Sequence, residues 1–190
     1  MKALEEKILR EGTVLPGGVL KVGSFLNQQI DTAFLASMGD EIARLFAGCG
    51  VTKILTIEAS GIAIAVAAGM KMNVPVVFAK KSKTSNVSGG VYSSKIHSFT
   101  HNNDYDAVVS RDYISKNDTV LLVDDFLAVG NALKGLIDIA EQAGAKVAGA
   151  AIAIEKGFQH GGDELRAKGY RIESLAVIDS MDDSAITYRP

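Results

Sequence analysis

An apolar run that ends in two adjacent acids and opens into a loop of small residues is the most chemically loaded stretch of this chain. It reads Val120-Leu121-Leu122-Val123-Asp124-Asp125-Phe126-Leu127-Ala128-Val129-Gly130-Asn131-Ala132. A small-residue loop that starts a helix presents free backbone N–H groups, and such a terminus attracts phosphate. Carboxylates aimed at that phosphate would repel it, so Asp124 and Asp125 need another target, such as sugar hydroxyls or a bound metal. A phosphorylated ribose carries both kinds of group. Taken alone, two adjacent acids read equally as a strand end capping the next helix. Other phosphate fingerprints are excluded, because neither G-x-x-x-x-G-K-[ST] nor G-x-G-x-x-G follows any candidate strand.

A second loop, Glu58-Ala59-Ser60-Gly61, follows the apolar run Lys53 to Ile57. By itself it is an ordinary strand-to-helix turn with Ser60 as the cap. Lys80, Lys81 and Lys83 open a polar stretch in which Gly89-Gly90 permits a hinge; such lysines follow an anion or merely keep a loop solvated. His97, His101 and His160 have no cysteine or carboxylate partners at ligand spacing, so they read as loop residues rather than zinc ligands.

The elements that must position these residues follow from periodicity. Leu4 and Ile8 mark a short amphipathic helix from Lys2 to Arg10, and Thr13 to Gln29 is turn-rich around Pro16-Gly17-Gly18. Asp31 or Thr32 caps a helix whose stripe is Phe34, Leu35, Met38, Ile42, Leu45 and Phe46, with Gly48 and Gly50 ending it. A strand–loop–helix–strand unit then occurs twice. The first copy is Lys53 to Ile57, the Glu58 loop, a helix to Met72 and a strand from Val74 to Ala79. The second is Thr119 to Val123, a loop from Asp124 to Gly130, a helix from Asn131 to Ala143 and a strand from Lys146 to Ile154. Between the copies, Val91 to Phe99 and Asp106 to Arg111 pair as a ribbon and Lys80 to Gly90 forms a flap, since a structureless loop of that length is rare in a compact domain. Arg171 to Ile178 supplies a last strand. This alternation predicts an α/β fold, a doubly wound, mostly parallel sheet with ligands at the carboxyl ends of its strands, where both loops fall.

Composition narrows the setting. The chain has 190 residues, 47% hydrophobic and 22% charged, with 20 Lys plus Arg against 22 Asp plus Glu. A net charge of −2 gives no field to hold nucleic acid or an anionic membrane. No apolar run approaches the roughly 18 residues that cross a bilayer. One cysteine, Cys49, and no N-terminal leader point to the cytoplasm. Cys49 itself reads as a small residue at a helix end.

The acidic strand-to-loop segment resembles the phosphoribosyl pyrophosphate (PRPP) signature of the type I phosphoribosyltransferases. Glu58-Ala59-Ser60-Gly61-Ile62 resembles their pyrophosphate loop, and Phe78-Ala79-Lys80-Lys81-Ser82-Lys83 the basic stretch that opens their flexible loop. Pro16-Gly17-Gly18-Val19-Leu20-Lys21-Val22, Phe25-Leu26-Asn27-Gln28-Gln29-Ile30-Asp31 and Ile154-Glu155-Lys156-Gly157-Phe158 bring the resemblance closest to the bacterial members that use xanthine.

That resemblance covers essentially the whole chain. It implies transfer of a phosphoribosyl group from PRPP to xanthine in purine salvage, through an oxocarbenium-like transition state, by a single domain with a hood formed by about 1–31 and 155–190 and a flap at about 80–103. Asp124 and Asp125 then serve the ribose, and Ala128, Val129, Gly130, Asn131 and Ala132 the 5′-phosphate. Glu58, Ala59, Ser60, Gly61 and Lys81 serve pyrophosphate; Leu20, Asn27 and Lys156 contact the purine, with Phe158 either stacking on it or in the core. Mg2+ is implied, held mainly through substrate oxygens and water, and so is a homodimer. One departure stands out: many family members have hydroxyls in the phosphate loop, whereas Ala128 to Ala132 has none, leaving the work to backbone amides and the Asn131 side chain. The alternatives are a non-catalytic PRPP-binding purine regulator of the same fold, or a phosphoribosyltransferase for hypoxanthine, guanine, adenine or orotate. The regulators carry a DNA-binding winged helix in front, and Lys2 to Asp31 shows no basic recognition face.

Overall fold

The computed structural model describes residues 1–81, 90–98, 103–182 and 185–189. Helix α1, Lys2–Glu11, buries Leu4 and Ile8, one turn apart. The next stretch is more ordered than its turn-rich sequence suggests. Thr13–Leu15 (β1) and Val19–Lys21 (β2) form a hairpin, and a single π-helical turn, Gly23–Asn27, follows. Three-residue strands carry too little alternation to be read from sequence. Asp31 caps α2, Thr32–Leu45, by accepting the Phe34 N–H at 3.1 Å. The stripe of α2 turns into the chain's own core: Met38, Ile42 and Phe46 are buried, and Phe34, Leu35 and Leu45 pack against them.

The first repeated unit comprises β3, Lys53–Ile57, helix α3, Ser60–Met72, and β4, Val76–Ala79. β4 starts two residues later than expected, after Pro75, which has no N–H for a ladder. Ala59, not Ser60, precedes α3, with no side-chain cap. The ribbon is present as β5, Val91–Ser98, antiparallel to β6, Asn103–Ser110. Residues 82–89, with Lys83 and Gly89 of the expected flap, lie outside the described residues, as does His101.

The second unit brings a correction. β7, Thr119–Leu127, runs past Val123, so Asp124 and Asp125 stand on a strand rather than in a loop. Pairing with β8, Lys146–Lys156, extends it: Asp124 lies opposite Ile152 and Phe126 opposite Ile154. Between them is α4, Asn131–Gln142, followed by Gly144 at positive φ. Beyond β8 come a 3-10 turn, Gly157–Gln159, helix α5, Gly161–Ala167, strand β9, Ile172–Met181, and strand β10, Ile186–Tyr188. The 3-10 turn, α5 and β10 were not expected from sequence.

The central sheet runs β10-β9-β8-β7-β3-β4, parallel except for its antiparallel edge strand β10. Both faces are covered, so the strands read as unbroken apolar runs. Ile54, Leu121, Val123 and Ala151 face α1, α2 and α3; Leu55, Val120, Leu122 and Ala150 face α4 and the ribbon. Strand order reverses between β3 and β7. Their pairing covers only Lys53 to Leu55 against Val120 to Leu122. Beyond it the strands part, and a cleft opens at their carboxyl ends, where sheets of this kind bind ligands.

Candidate active site

The cleft, about 260 Å3, brings together both loops. Glu58, Ala59 and Ser60 line one wall; Asp124, Asp125 and Phe126, running into Ala128 to Ala132, line the other. Lys81 of the flap base, with His97 and Tyr105 of the ribbon, closes a third side.

Asp124 is 6% exposed, and its Oδ1 accepts the Asp125 N–H at 2.9 Å. Burial, and then the adjacent Asp125 charge, push its carboxyl well above the usual carboxylate range. Asp125 is more open, and its Oδ2 meets the Asn27 side-chain amide at 3.5 Å. Gly61 explains how the two walls come so close. A Cβ there would stand 2.4 Å from Thr56 Oγ1 and 3.1 Å from Asp124 Oδ1. Thr56 is fully buried and its hydroxyl has no hydrogen-bond partner among the described residues.

The Glu58–Ala59 peptide is cis. The Glu58 carboxylate accepts the Lys81 N–H at 2.5 Å, so this side chain fastens Lys81 to the turn, and Ala59 and Ser60 line the cleft beside it. The Lys81 ammonium lies 5.2 Å from the Tyr105 ring centroid, within cation–π range. Gly130, at φ +85, makes the turn that starts α4 and leaves the loop's amides ahead of the helix.

None of the three residues assigned to the purine lines this cleft; Asn27 and Lys156 touch its edge, at Asp125 and Phe126, while Leu20 belongs to the core. Leu20 is buried on β2, Asn27 ends the π-helical turn, and Lys156 ends β8. Lys156 Nζ donates to the Gly18 carbonyl at 2.8 Å and sits 5.7 Å from the Phe126 ring. Burial lowers its pKa. Phe158 packs partly buried against the core, close to Gly18.

Sequence reading missed Tyr105 and His97 as parts of the cleft. The signal for Tyr105 was present, because Tyr105, Ala107 and Val109 alternate along β6 and pack on one face, but the strand was expected to start only at Asp106. Burial raises the Tyr105 pKa, with a further push from Asp124. His97 lies on β5 rather than in a loop, its Nδ1 2.8 Å from Asp104 Oδ1. Cys49 Sγ accepts from Arg171 at 3.4 Å, away from the cleft. Among the described residues, no group of three or more His, Cys, Asp and Glu side chains is arranged to hold a metal, and no helix is long and apolar enough to cross a membrane.

A doubly wound sheet whose switch point joins an acidic strand end, an amide-rich helix start and a second turn forms the class of cleft that suits a phosphorylated ligand. Residues 32–181 match the phosphoribosyl transferase domain, and the chain belongs to that family. It is 53% identical over 188 residues to the xanthine phosphoribosyltransferase of Heliobacterium modesticaldum, spanning 99% of this chain and 100% of that one. It is likewise 53% identical over 192 residues to the xanthine phosphoribosyltransferase of Bifidobacterium longum, spanning 100% of both. Among solved structures, the adenine phosphoribosyltransferase of Thermoanaerobacter pseudethanolicus matches with a TM-score of 0.74 at 21% identity, over 92% of this chain and 98% of that one. The expected type I phosphoribosyltransferase fold is the observed one.

Proposed function

We propose that this protein transfers the 5-phosphoribosyl group from PRPP to xanthine, releasing pyrophosphate and forming xanthosine 5′-phosphate. The observation that carries the reading is the continuity of Asp124 and Asp125 with the Ala128–Ala132 loop in one cleft, facing the Glu58–Ser60 turn. The relatives' names supply the base.

In this reading a purine ring nitrogen attacks the anomeric carbon, and the bond from that carbon to the pyrophosphate oxygen breaks. Positive charge grows on the sugar and negative charge on the leaving group. The Asp125 and Asp124 carboxylates hold the ribose hydroxyls and stabilise the cationic sugar, and the amides of Ala59 to Gly61, with Lys81, receive the anion. Backbone amides of Ala128 to Ala132 hold the 5′-phosphate. Leu20 packs on the purine, while Asn27 and Lys156 donate to its oxo groups; Lys156 favours xanthine because that base has an extra carbonyl at C2 and ionises readily near neutral pH. A site with such donors rejects bases that leave them unpaired.

The residues present fit Mg2+. Asp125, the more open of the two acids, offers a hard oxygen donor in the cleft, and an ion there would be held mainly through substrate oxygens and water. When bound, Mg2+ would supply charge neutralisation on the leaving pyrophosphate. In this reading the hood over the base is about 1–31 and 155–190, and the water-excluding flap is about 80–103, of which 82–89 and 99–102 lie outside the described residues. The protein acts as a homodimer, for which Val66, Met70 and Phe78 offer exposed apolar surface; light scattering tests this. The regulator alternative gains nothing from residues 1–31, where α1 buries Leu4 and Ile8 against the sheet.

The test is to incubate the protein with PRPP, xanthine and Mg2+ and look for xanthosine 5′-phosphate by mass spectrometry. Its formation supports the reading; PRPP binding without nucleotide formed from any base would place the protein among the regulators.

A further inference from the structure

A phosphate loop without hydroxyls depends on where its peptide planes point, and those planes must be held by something outside the loop. We propose that Gly161 and Lys134, neither of which touches substrate, are positioning residues that aim the amides of Val129 and Gly130 at the 5′-phosphate. The inference rests on the phosphate-site reading above.

Each carbonyl of the loop is held on the side of α4 and α5. The Gly161 N–H, at the start of α5, donates to the Ala128 carbonyl at 3.2 Å. Lys134 Nζ, from the fourth residue of α4, donates to the Val129 carbonyl at 3.2 Å and pairs with Glu164 of α5 at 3.0 Å. The Lys134 N–H donates to the Gly130 carbonyl at 2.9 Å. In a planar trans peptide the C=O and the following N–H point in opposite directions. With the carbonyls of Ala128, Val129 and Gly130 drawn towards the helices, the amides of Val129, Gly130 and Asn131 turn the other way, towards the cleft these residues line.

Only glycine permits this contact at position 161. A Cβ there would stand 2.2 Å from the Ala128 carbonyl oxygen, 2.5 Å from the Val129 carbonyl carbon and 2.8 Å from the Gly130 nitrogen. All three are backbone atoms of the loop, so a side chain displaces the loop itself. Helix α5 cannot easily retreat instead. Arg166 holds Glu155 of β8 through two hydrogen bonds, 2.8 and 2.7 Å, and Glu155 is 1% exposed. The loop therefore rests on an anchored surface, and contacts from two helices converge on its adjacent peptides.

The experiment measures ribose 5-phosphate binding by calorimetry and the KM values for PRPP and xanthine in the wild type, Gly161→Ala and Lys134→Met. Thermal melts check the fold of each. Ribose 5-phosphate affinity and PRPP KM should worsen about tenfold or more in Gly161→Ala and several-fold in Lys134→Met, with xanthine KM at saturating PRPP held within about twofold. Wild-type ribose 5-phosphate affinity in both variants would overturn the inference. So would a loss shared equally between PRPP and xanthine, the mark of general loosening. If Gly161→Ala does not fold, Lys134→Met decides alone. A wild-type protein that binds neither ribose 5-phosphate nor PRPP would overturn the phosphate-site reading itself, and this inference with it.

Discussion

The Asn27 side-chain amide reaches the Asp125 carboxylate at 3.5 Å, joining two residues 98 positions apart in the chain. The π-helical turn proposed to read the base thus abuts the strand end proposed to hold the sugar. A purine and a ribose joined through one new bond require that adjacency, since reacting atoms must meet at about 3 to 3.5 Å. Asn27→Ala should raise xanthine KM about tenfold while PRPP KM changes little. Steady-state kinetics with each substrate varied checks this, and a selective rise in PRPP KM would contradict it.

Asp124 makes the fold less stable for the sake of the site. Its folded-state pKa is raised by burial, so the stability linked to it is fully present below the ordinary carboxyl value of 3.8 and is lost as pH rises through the elevated folded value. At neutral pH, Asp124→Asn removes that loss while its side-chain oxygen can still accept the Asp125 N–H. The melting temperature should rise by roughly 2 °C or more as activity falls. A variant that melts lower at pH 7 would contradict this account of Asp124.

Lys156 offers a pH signature. Its burial lowers the ammonium pKa, so the charge begins to be lost below the ordinary lysine value of 10.5. Xanthine KM should climb as pH rises through that lowered value, with PRPP KM flat. Lys156→Gln should raise xanthine KM at neutral pH by about tenfold or more and leave PRPP binding near wild type. Equal losses for the two substrates would remove Lys156 from base recognition.

Gly61 separates close packing from chemistry. A methyl group at 2.4 Å from Thr56 Oγ1 and 3.1 Å from Asp124 Oδ1 must shift one or both. Gly61→Ala should cost about 1 to 3 kcal/mol of stability and reduce kcat at least tenfold, because the turn and Asp124 move together. Chemical denaturation and initial rates measure the two effects.

Lys7 braces, from outside the cleft, the turn proposed to read the purine. Its Nζ lies 2.8 Å from Asp31 Oδ2 and 3.2 Å from Glu11 Oε1, and 5.3 and 5.1 Å from the Phe25 and Phe34 ring centroids. Phe25 and Asp31 bracket Asn27 in sequence. Lys7→Met should lower the melting temperature and raise xanthine KM several-fold without altering PRPP KM; unchanged xanthine KM in a folded variant would detach Lys7 from the site.

The repeated strand–loop–helix–strand pattern was legible because β3, β7 and β8 are buried as near-continuous apolar runs and α4 carries a clear 3.6-residue period. Its two strand-end segments stood out because they recur at the same place in both copies and together resemble a family signature; alone, each also reads as an ordinary cap or turn. What stayed hidden depends on partners distant in sequence. Asp124 and Asp125 belong to β7 only because β8 pairs with Asp124, Phe126 and Leu127. The hairpin of β1 and β2 closes on three residues a side, and α5 opens on Gly161-Gly162, a pair that favours a turn over a helix start. The hydrogen bond from the Lys81 N–H to the Glu58 carboxylate, 23 residues back, is likewise invisible in the sequence.

Pyrophosphate release from PRPP with Mg2+, measured across xanthine, guanine, hypoxanthine, adenine and orotate beside an Asp125→Asn control, tests the central claim most directly. The account predicts rapid release that depends on xanthine, is much slower with the other bases, and falls by about a hundredfold or more in the control. Release that favours another base, or that persists undiminished in Asp125→Asn, would contradict it.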